Sequence, residues 1–277
     1  MPYYFNRKYL FLLLITTLTF AQFSYSASNN EAKNGNAKID LNDIINKSNL
    51  AAYYAGNDGR AEARMIIVDS KGNKQMRQFT ILRKDNADLG DQQMLVFFSR
   101  PSNVKGTVFR VNKKVASHDD RWLYLPELDL VKRISAGDKR TSFVGAHFYY
   151  EDVSGRNPAE DNFTLLAVDD DYYQIKATPK QPESVEYAYY QVSIDKQSYL
   201  PMQVRYFDKK NNAIREMKVL KVKNIQGYPT VTKAKITQLA DGSYTEMQFR
   251  RIKYNLSLPE NIFSERSLRT PPKAWLK

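Results

Sequence analysis

The sequence predicts a mainly β fold built on one large, curled antiparallel sheet, and three observations predict it. From Arg60 onward, short runs with strand-like alternation recur roughly every ten residues, nearly all joined by hairpin-type turns. No βαβ alternation and no exact internal repeat interrupts them. Tyr, Phe and Trp number 19, 14 and 2, or 13% of the 277 residues, and aromatics favour strands and large apolar interiors. A sheet of this size closes on itself or bends round a cavity.

The elements follow in order. Residues 1–26 read as a secretory signal peptide. Arg7 and Lys8 supply the positive start, Tyr9 to Phe20 is an uncharged apolar run, and Ser24-Tyr25-Ser26 offers small residues at a cleavage site. Ser26-Ala27-Ser28 is a second possible cut, and an uncleaved membrane anchor is the alternative. Residues 27–39 are small and polar and read as a flexible mature N-terminus, leaving 40–277 as a single β domain. Asp40 or Asn42 caps a helix whose face is Leu41, Ile44, Ile45, Ser48, Ala52 and Ala55, ending before Gly56.

Strand patterning then begins. Ala61, Ala63, Met65 and Ile67 alternate with Glu62, Arg64 and Ile66, and Ser70 to Asn73 turns the chain into Met76 to Arg83. Further strands are expected at 94–98, 106–111, 121–125 and 130–134. The segment 137–152 breaks the period of two. It mixes two glycines, Lys139-Arg140 and several aromatics, and reads as a long loop with a short helix near Phe148 to Val153, as in a lid or binding loop. Strands resume at 163–168, 172–178, 187–194, 201–207, 214–222, 230–238 and 244–254, the last two meeting at Asp241-Gly242, a strong hairpin signal. A helical turn near Pro259 to Phe263 precedes a proline-containing tail. Roughly ten to twelve strands are expected.

Lys and Arg total 42 against 30 Asp and Glu, spread without a block of like charge. This argues against a nucleic-acid arm and for a broadly positive surface, matched to anionic lipid head groups or an acidic partner, or serving solubility. No cysteine is present, so no disulfide staples an exported chain and no lipid-anchoring cysteine follows the signal. Fingerprints of nucleotide binding, serine hydrolysis and zinc hydrolysis are missing. His118 beside Asp119 and Asp120 reads as a solvated turn, His147 as a packed residue of the loop, and Asp169 to Asp171 as a hairpin tip. Neither an enzyme nor a cofactor or metal is expected.

The order of the hairpin ARMIIVD…MRQFTILR, then FFSRPSNVKGTVFRV, RWLYLPELDLVKRI and FVGAHFYYEDV resembles the outer-membrane lipoprotein-sorting, LolA-like family. The likeness is closest to the branch associated with RND/MMPL-type exporters. YLPMQVRYFDKKN and TEMQFRRIKYN are also similar. The resemblance implies an incomplete β-barrel with a helical lid over an apolar cavity, working as a periplasmic carrier. Its cargo would be the acyl chains of lipoproteins or other lipids, taken towards the outer membrane by a monomer, with an RND/MMPL-type exporter as a possible partner. A non-enzymatic adaptor that docks on such an exporter and carries nothing is the alternative.

Alternation and lid position nominate cavity-facing residues: Met65, Ile67, Phe79, Phe97, Phe109, Trp122, Tyr124, Phe143, Phe148, Met202, Val204 and Phe249. Plain core packing is the competing account of each. Arg133, Lys139 and Arg140 flank the lid and are candidates for a head group or docking partner, against simple surface solubility.

Overall fold

The computed structural model describes residues 39–276; the expected signal peptide and nearly all of segment 27–39 lie outside the described residues. Helix α1 (Leu41–Tyr53) starts at Asp40, whose carboxylate accepts from the Asn42 and Asp43 backbone N–H groups at 2.9 and 3.2 Å. Its buried side chains Ile44, Ile45 and Ser48 fall on one face. At its other end, Arg83 donates to the Ala55 and Gly56 carbonyls at 2.6 and 2.7 Å. Arg83 and Gln92 both reach the Tyr53 carbonyl, so side chains from the sheet satisfy the carbonyls that a helix end leaves open.

The strands are β1 (Asp58–Val68), β2 (Lys74–Asp85), β3 (Gln92–Arg100), β4 (Val108–Lys113), β5 (Asp120–Leu125), β6 (Leu130–Ile134), β7 (Asp161–Val168), β8 (Tyr172–Pro179), β9 (Tyr189–Asp195), β10 (Pro201–Phe207), β11 (Ala213–Ile225), β12 (Tyr228–Gln238) and β13 (Tyr244–Tyr254). They form one 13-stranded antiparallel sheet in the order β6-β5-β4-β3-β2-β1-β13-β12-β11-β10-β9-β8-β7. Thirteen is slightly more than the ten to twelve expected. Two meanders are thus joined where β1 pairs with β13, with Met65 opposite Met247 and Ile67 opposite Thr245. The sheet is not closed: β6 and β7 are its two edges, and the fold is an incomplete barrel. Register shifts in β1, β7, β10 and β11 add local bends to the wall.

Because β6 and β7 stand at opposite edges, the chain between them must cross a whole face. Residues 135–160 make that crossing and carry the short helix α2 (Tyr150–Ser154). Phe143 of the crossover is fully buried, with ring centroids 5.6 Å from Phe98, 5.5 Å from Phe109 and 5.4 Å from Tyr150. Burying one such ring contributes roughly 1.5–3 kcal/mol. We call this side, which also carries α1, the inner face. The outer face of β2–β5 is covered by the C-terminal segment. Leu258, Ile262, Phe263 and Leu268 pack on Leu82, Leu95, Phe97 and Val108, and Trp275 and Leu276 extend the same cluster. The part expected to be a tail supplies Trp275 and Leu276, and the whole segment seals the outer side of these four strands. It is tied there by Asp58, which accepts the Leu256 and Leu258 N–H groups at 2.6 Å, and by Arg110, which donates to the Phe263 carbonyl at 2.7 Å.

Gly155 closes α2 at φ +80°, a region favourable only to glycine, and a Cβ there would stand 2.9 Å from the Tyr53 ring. Gly155→Ala is expected to lower stability by about 1–3 kcal/mol, read as a fall in denaturation midpoint at unchanged slope. An unchanged midpoint would show that Tyr53 is not held against this turn.

Candidate functional site

Between α1, the inner face and the crossover lies a cavity of about 270 Å³. Its walls are mostly apolar: Ala51 and Ala52 from α1 and Ala55 just beyond it, Ala61, Phe79, Ile81 and Met94 from β1–β3, Ala234, Met247, Phe249 and Ile252 from β12 and β13, and Phe148 and Val153 from the crossover. Small alanines on α1 and on strands leave the space that larger side chains would fill. Arg83, Gln92, Asp152 and Tyr254 provide a polar fringe. Behind Arg83, burial pushes the Asp85 carboxyl up to about 6, against the pull of the Arg83 guanidinium 3.3 Å away.

A second cavity, of about 150 Å³, adjoins the first and shares Ala52, Tyr53 and Asp152 with it. It lies under the other half of the crossover, against β7–β11. Its walls are partly apolar (Ile45, Phe163, Val192, Ile194, Val204) and partly a tyrosine and arginine cluster (Tyr149, Tyr187, Tyr190, Tyr206, Arg140, Arg215). The Tyr187, Tyr190 and Tyr206 rings touch one another at centroid separations of 5.0–5.9 Å. Burial raises all three phenols well above the ordinary tyrosine value, so they are uncharged.

Ion pairs hold the crossover down. Arg156 donates to both Asp161 oxygens at 2.8 Å, to Glu160 at 2.8 Å and to Glu151 at 3.2 Å. Lys139 sits 2.7 Å from Glu151 and 2.8 Å from Glu160. Burial alone would raise the Glu151 carboxyl; Lys139 and Arg156 beside it outweigh that and hold it below the usual range. Arg215 pairs with Asp152, donates to the His147 carbonyl at 3.0 Å, and lies over the Tyr149 ring at 4.0 Å. Burial would lower the Arg215 value, yet Asp152 and neighbouring tyrosines raise it, so it stays charged. His147 donates its backbone N–H to the Thr245 hydroxyl at 3.0 Å, and its ring Nδ1 meets the same oxygen at 2.8 Å; burial lowers its value. His118 is exposed beside Asp119 and Asp120, whose carboxylates are engaged by Lys114, Arg121 and Arg133.

The nominated residues divide four ways. Phe79, Phe148 and Phe249 line the first cavity and Val204 the second. Met65, Ile67, Phe109 and Phe143 point to the inner face but belong to its solid core. Met202 is half-buried on β10 and lines neither cavity. Phe97, Trp122 and Tyr124 are on the outer face under the C-terminal segment, a correction to the face assigned from sequence. In β3 it is Met94, Val96 and Phe98 that face inward, and in β5 it is Leu123. Where adjacent residues are both apolar, alternation does not say which one points in.

Of the basic candidates, Lys139 and Arg140 are not free for an outside partner. Lys139 is buried in its carboxylate pair, and Arg140 donates to Glu186 at 3.1 Å. Arg133 remains 70% exposed on the β6 edge, paired with Asp120 at 2.7 Å. The structure instead gathers Lys221, Lys223, Lys233, Arg250 and Arg251 round a surface cleft at the bulged part of β11–β13. The alanines of the cavity and the buried tyrosines were also missed. The only sequence signals for them were AAYYA at the end of α1 and the tyrosine-rich run YAYY at 187–190.

A family model described as "uncharacterized protein"-like matches residues 90–270, more than half of the chain. No curated protein matches it in sequence. Among solved structures, it is similar to a domain described as outer membrane lipoprotein-sorting from Vibrio parahaemolyticus (25% identity, TM-score 0.75, covering 82% of this chain and 97% of that one). It is also similar to a DUF1329 family protein from Desulfovibrio piger (26% identity, TM-score 0.73, covering 81% and 95%). A LolA superfamily protein from Nitrosomonas europaea shares the fold at 16% identity (TM-score 0.64, covering 82% and 99%). The chain belongs to the family of that model, and its open 13-stranded wall with one face crossed by the 135–160 segment is the LolA-like fold of these structures.

Proposed function

We propose that this protein is a periplasmic carrier, exported by its signal peptide, that shelters lipid acyl chains beneath α1 and the crossover and delivers them towards the outer membrane. The observation that carries this reading is the apolar cavity between a rigid sheet and a face-crossing lid. Each methylene moved from water into such a space is worth about 0.8 kcal/mol, so a modest chain length suffices for retention. At about 270 Å³ the cavity falls just under the ~300–1,000 Å³ of ordinary ligand pockets, so cargo enters by displacing α1 or the crossover. The relative from Vibrio parahaemolyticus, described as a lipoprotein-sorting domain, supports lipoprotein acyl chains as cargo. An inner-membrane exporter of the RND/MMPL type is the partner this reading would supply.

Protein extracted without detergent is expected to carry lipid detectable by mass spectrometry, and the stripped protein to bind a fluorescent acyl probe. Ala61→Phe adds a ring to the cavity wall without removing any contact, and probe affinity is expected to fall tenfold or more while the fold is kept. Wild-type protein that holds no lipid and takes no probe would end the carrier reading.

A further inference from the structure

The second cavity contains polar atoms that the protein itself leaves unanswered. The Tyr187 side chain is 95% buried, yet its hydroxyl has no hydrogen-bond partner in the protein. Arg215 Nε is likewise buried with no hydrogen-bond partner, and Arg140 Nη1, also buried, has only Glu151 Oε2 at 3.6 Å, too far for a hydrogen bond. All three side chains line the one cavity. A buried polar group left without a hydrogen bond is costly, so three of them around a single small space call for an oxygen to come between them.

Charge says what kind of oxygen. Four cations (Lys139, Arg140, Arg156, Arg215) are paired there with five carboxylates (Glu151, Asp152, Glu160, Asp161, Glu186). A further anion would enter a cluster that already carries one negative charge in excess. A neutral acceptor meets the free donors without that repulsion. The neighbouring apolar cavity, which shares Ala52, Tyr53 and Asp152, has room for the attached tail.

We infer that the second cavity is a head-group site for an uncharged amphiphile, one that presents a carbonyl or hydroxyl oxygen to Tyr187, Arg140 and Arg215 while its chain lies in the first cavity. An acylglycerol is the ligand class that fits. The inference rests on the carrier reading and narrows it. The cargo is chosen by a neutral, ester- or hydroxyl-bearing head and is not held by its tail alone.

The test compares three ligands of equal chain length, by displacement of a fluorescent acyl probe at mildly alkaline pH: a monoacylglycerol, the ionised fatty acid, and a hydrocarbon with no head. Wild-type protein is expected to bind the monoacylglycerol best. Tyr187→Phe, which removes one oxygen and keeps the ring, is expected to weaken that ligand about five- to tenfold and leave the other two unchanged. Its thermal midpoint should stay level or rise, since the lost hydroxyl bonds to nothing in the protein. Tighter binding of the fatty acid would overturn the assignment. So would equal affinities unaffected by Tyr187→Phe, the result expected if water alone answers these donors. In either case an Ala61→Phe effect on all three ligands would leave the carrier reading standing. Failure of all three to bind wild-type protein would remove both.

Discussion

Replacing Arg156 with methionine is expected to cost about 3–5 kcal/mol of folding free energy. Four hydrogen bonds to three carboxylates disappear together, two of them to an Asp161 side chain that is 0% exposed. Methionine fills the space but leaves Asp161 and Glu151 short of a partner in a poorly solvated place. The midpoint of thermal unfolding should fall by about 6–20 °C for a domain of this size. A pH signature accompanies the loss. Glu151 has a folded-state value below its unfolded one, so its contribution is fully present above the unfolded value of 4.5 and is lost as pH falls through the lower folded value. In Arg156→Met that acid-side loss should shrink, because Lys139 is left without the second cation that helps to depress the value. A variant as stable as wild type, with the same acid limb, would mean that Lys139 and Arg140 suffice to hold the crossover.

Locking the crossover to the sheet should slow loading at least tenfold. The chain has no cysteine, so a designed pair has no competitor. The His147 and Thr245 side chains already meet, with the threonine hydroxyl 3.0 Å from the His147 backbone nitrogen and 2.8 Å from its ring. His147→Cys together with Thr245→Cys brings two sulfurs within reach of a bond between the lid and β13. When oxidised, the double variant is expected to take up an acyl probe at least tenfold more slowly than when reduced, with reductant restoring the rate. The reduced form serves as its own control for any damage from losing the Thr245 hydroxyl. Equal uptake in both redox states would place the moving part elsewhere, at α1, whose C-terminal end is pinned by Arg83 and Gln92.

These two results would separate what holds the lid from what lets it move. Arg156, Lys139 and Glu151 fasten the crossover near β7, where it rejoins the sheet. Phe143 and Phe148 pack near the middle of the inner face, where the cavity lies. A lid fastened by ion pairs at one end and by apolar side chains over the cavity can open where cargo replaces its apolar contacts.

The strands and their hairpins were legible from the residues alone, because a half-buried strand alternates and a tight turn needs Gly, Asn or Asp at set positions. Ala61 to Ile67 and the Asp241-Gly242 turn are examples. The same holds for the long break at 137–152, which no period of two describes. Which way Phe97 and Phe98 point was decided only by the folded chain. The C-terminal segment covers the outer face, so both faces of β3 are dry, and the run Met94 to Phe98 is apolar at every position. The ion pairs that spend Lys139 and Arg140 join residues up to 46 positions apart, and the first cavity lies where alanines at the end of α1 meet β1 and β12 alanines across the interior. Local patterning is a property of neighbours along the chain. Cavities and buried charge clusters are properties of neighbours in space, and only the tertiary structure assigns those.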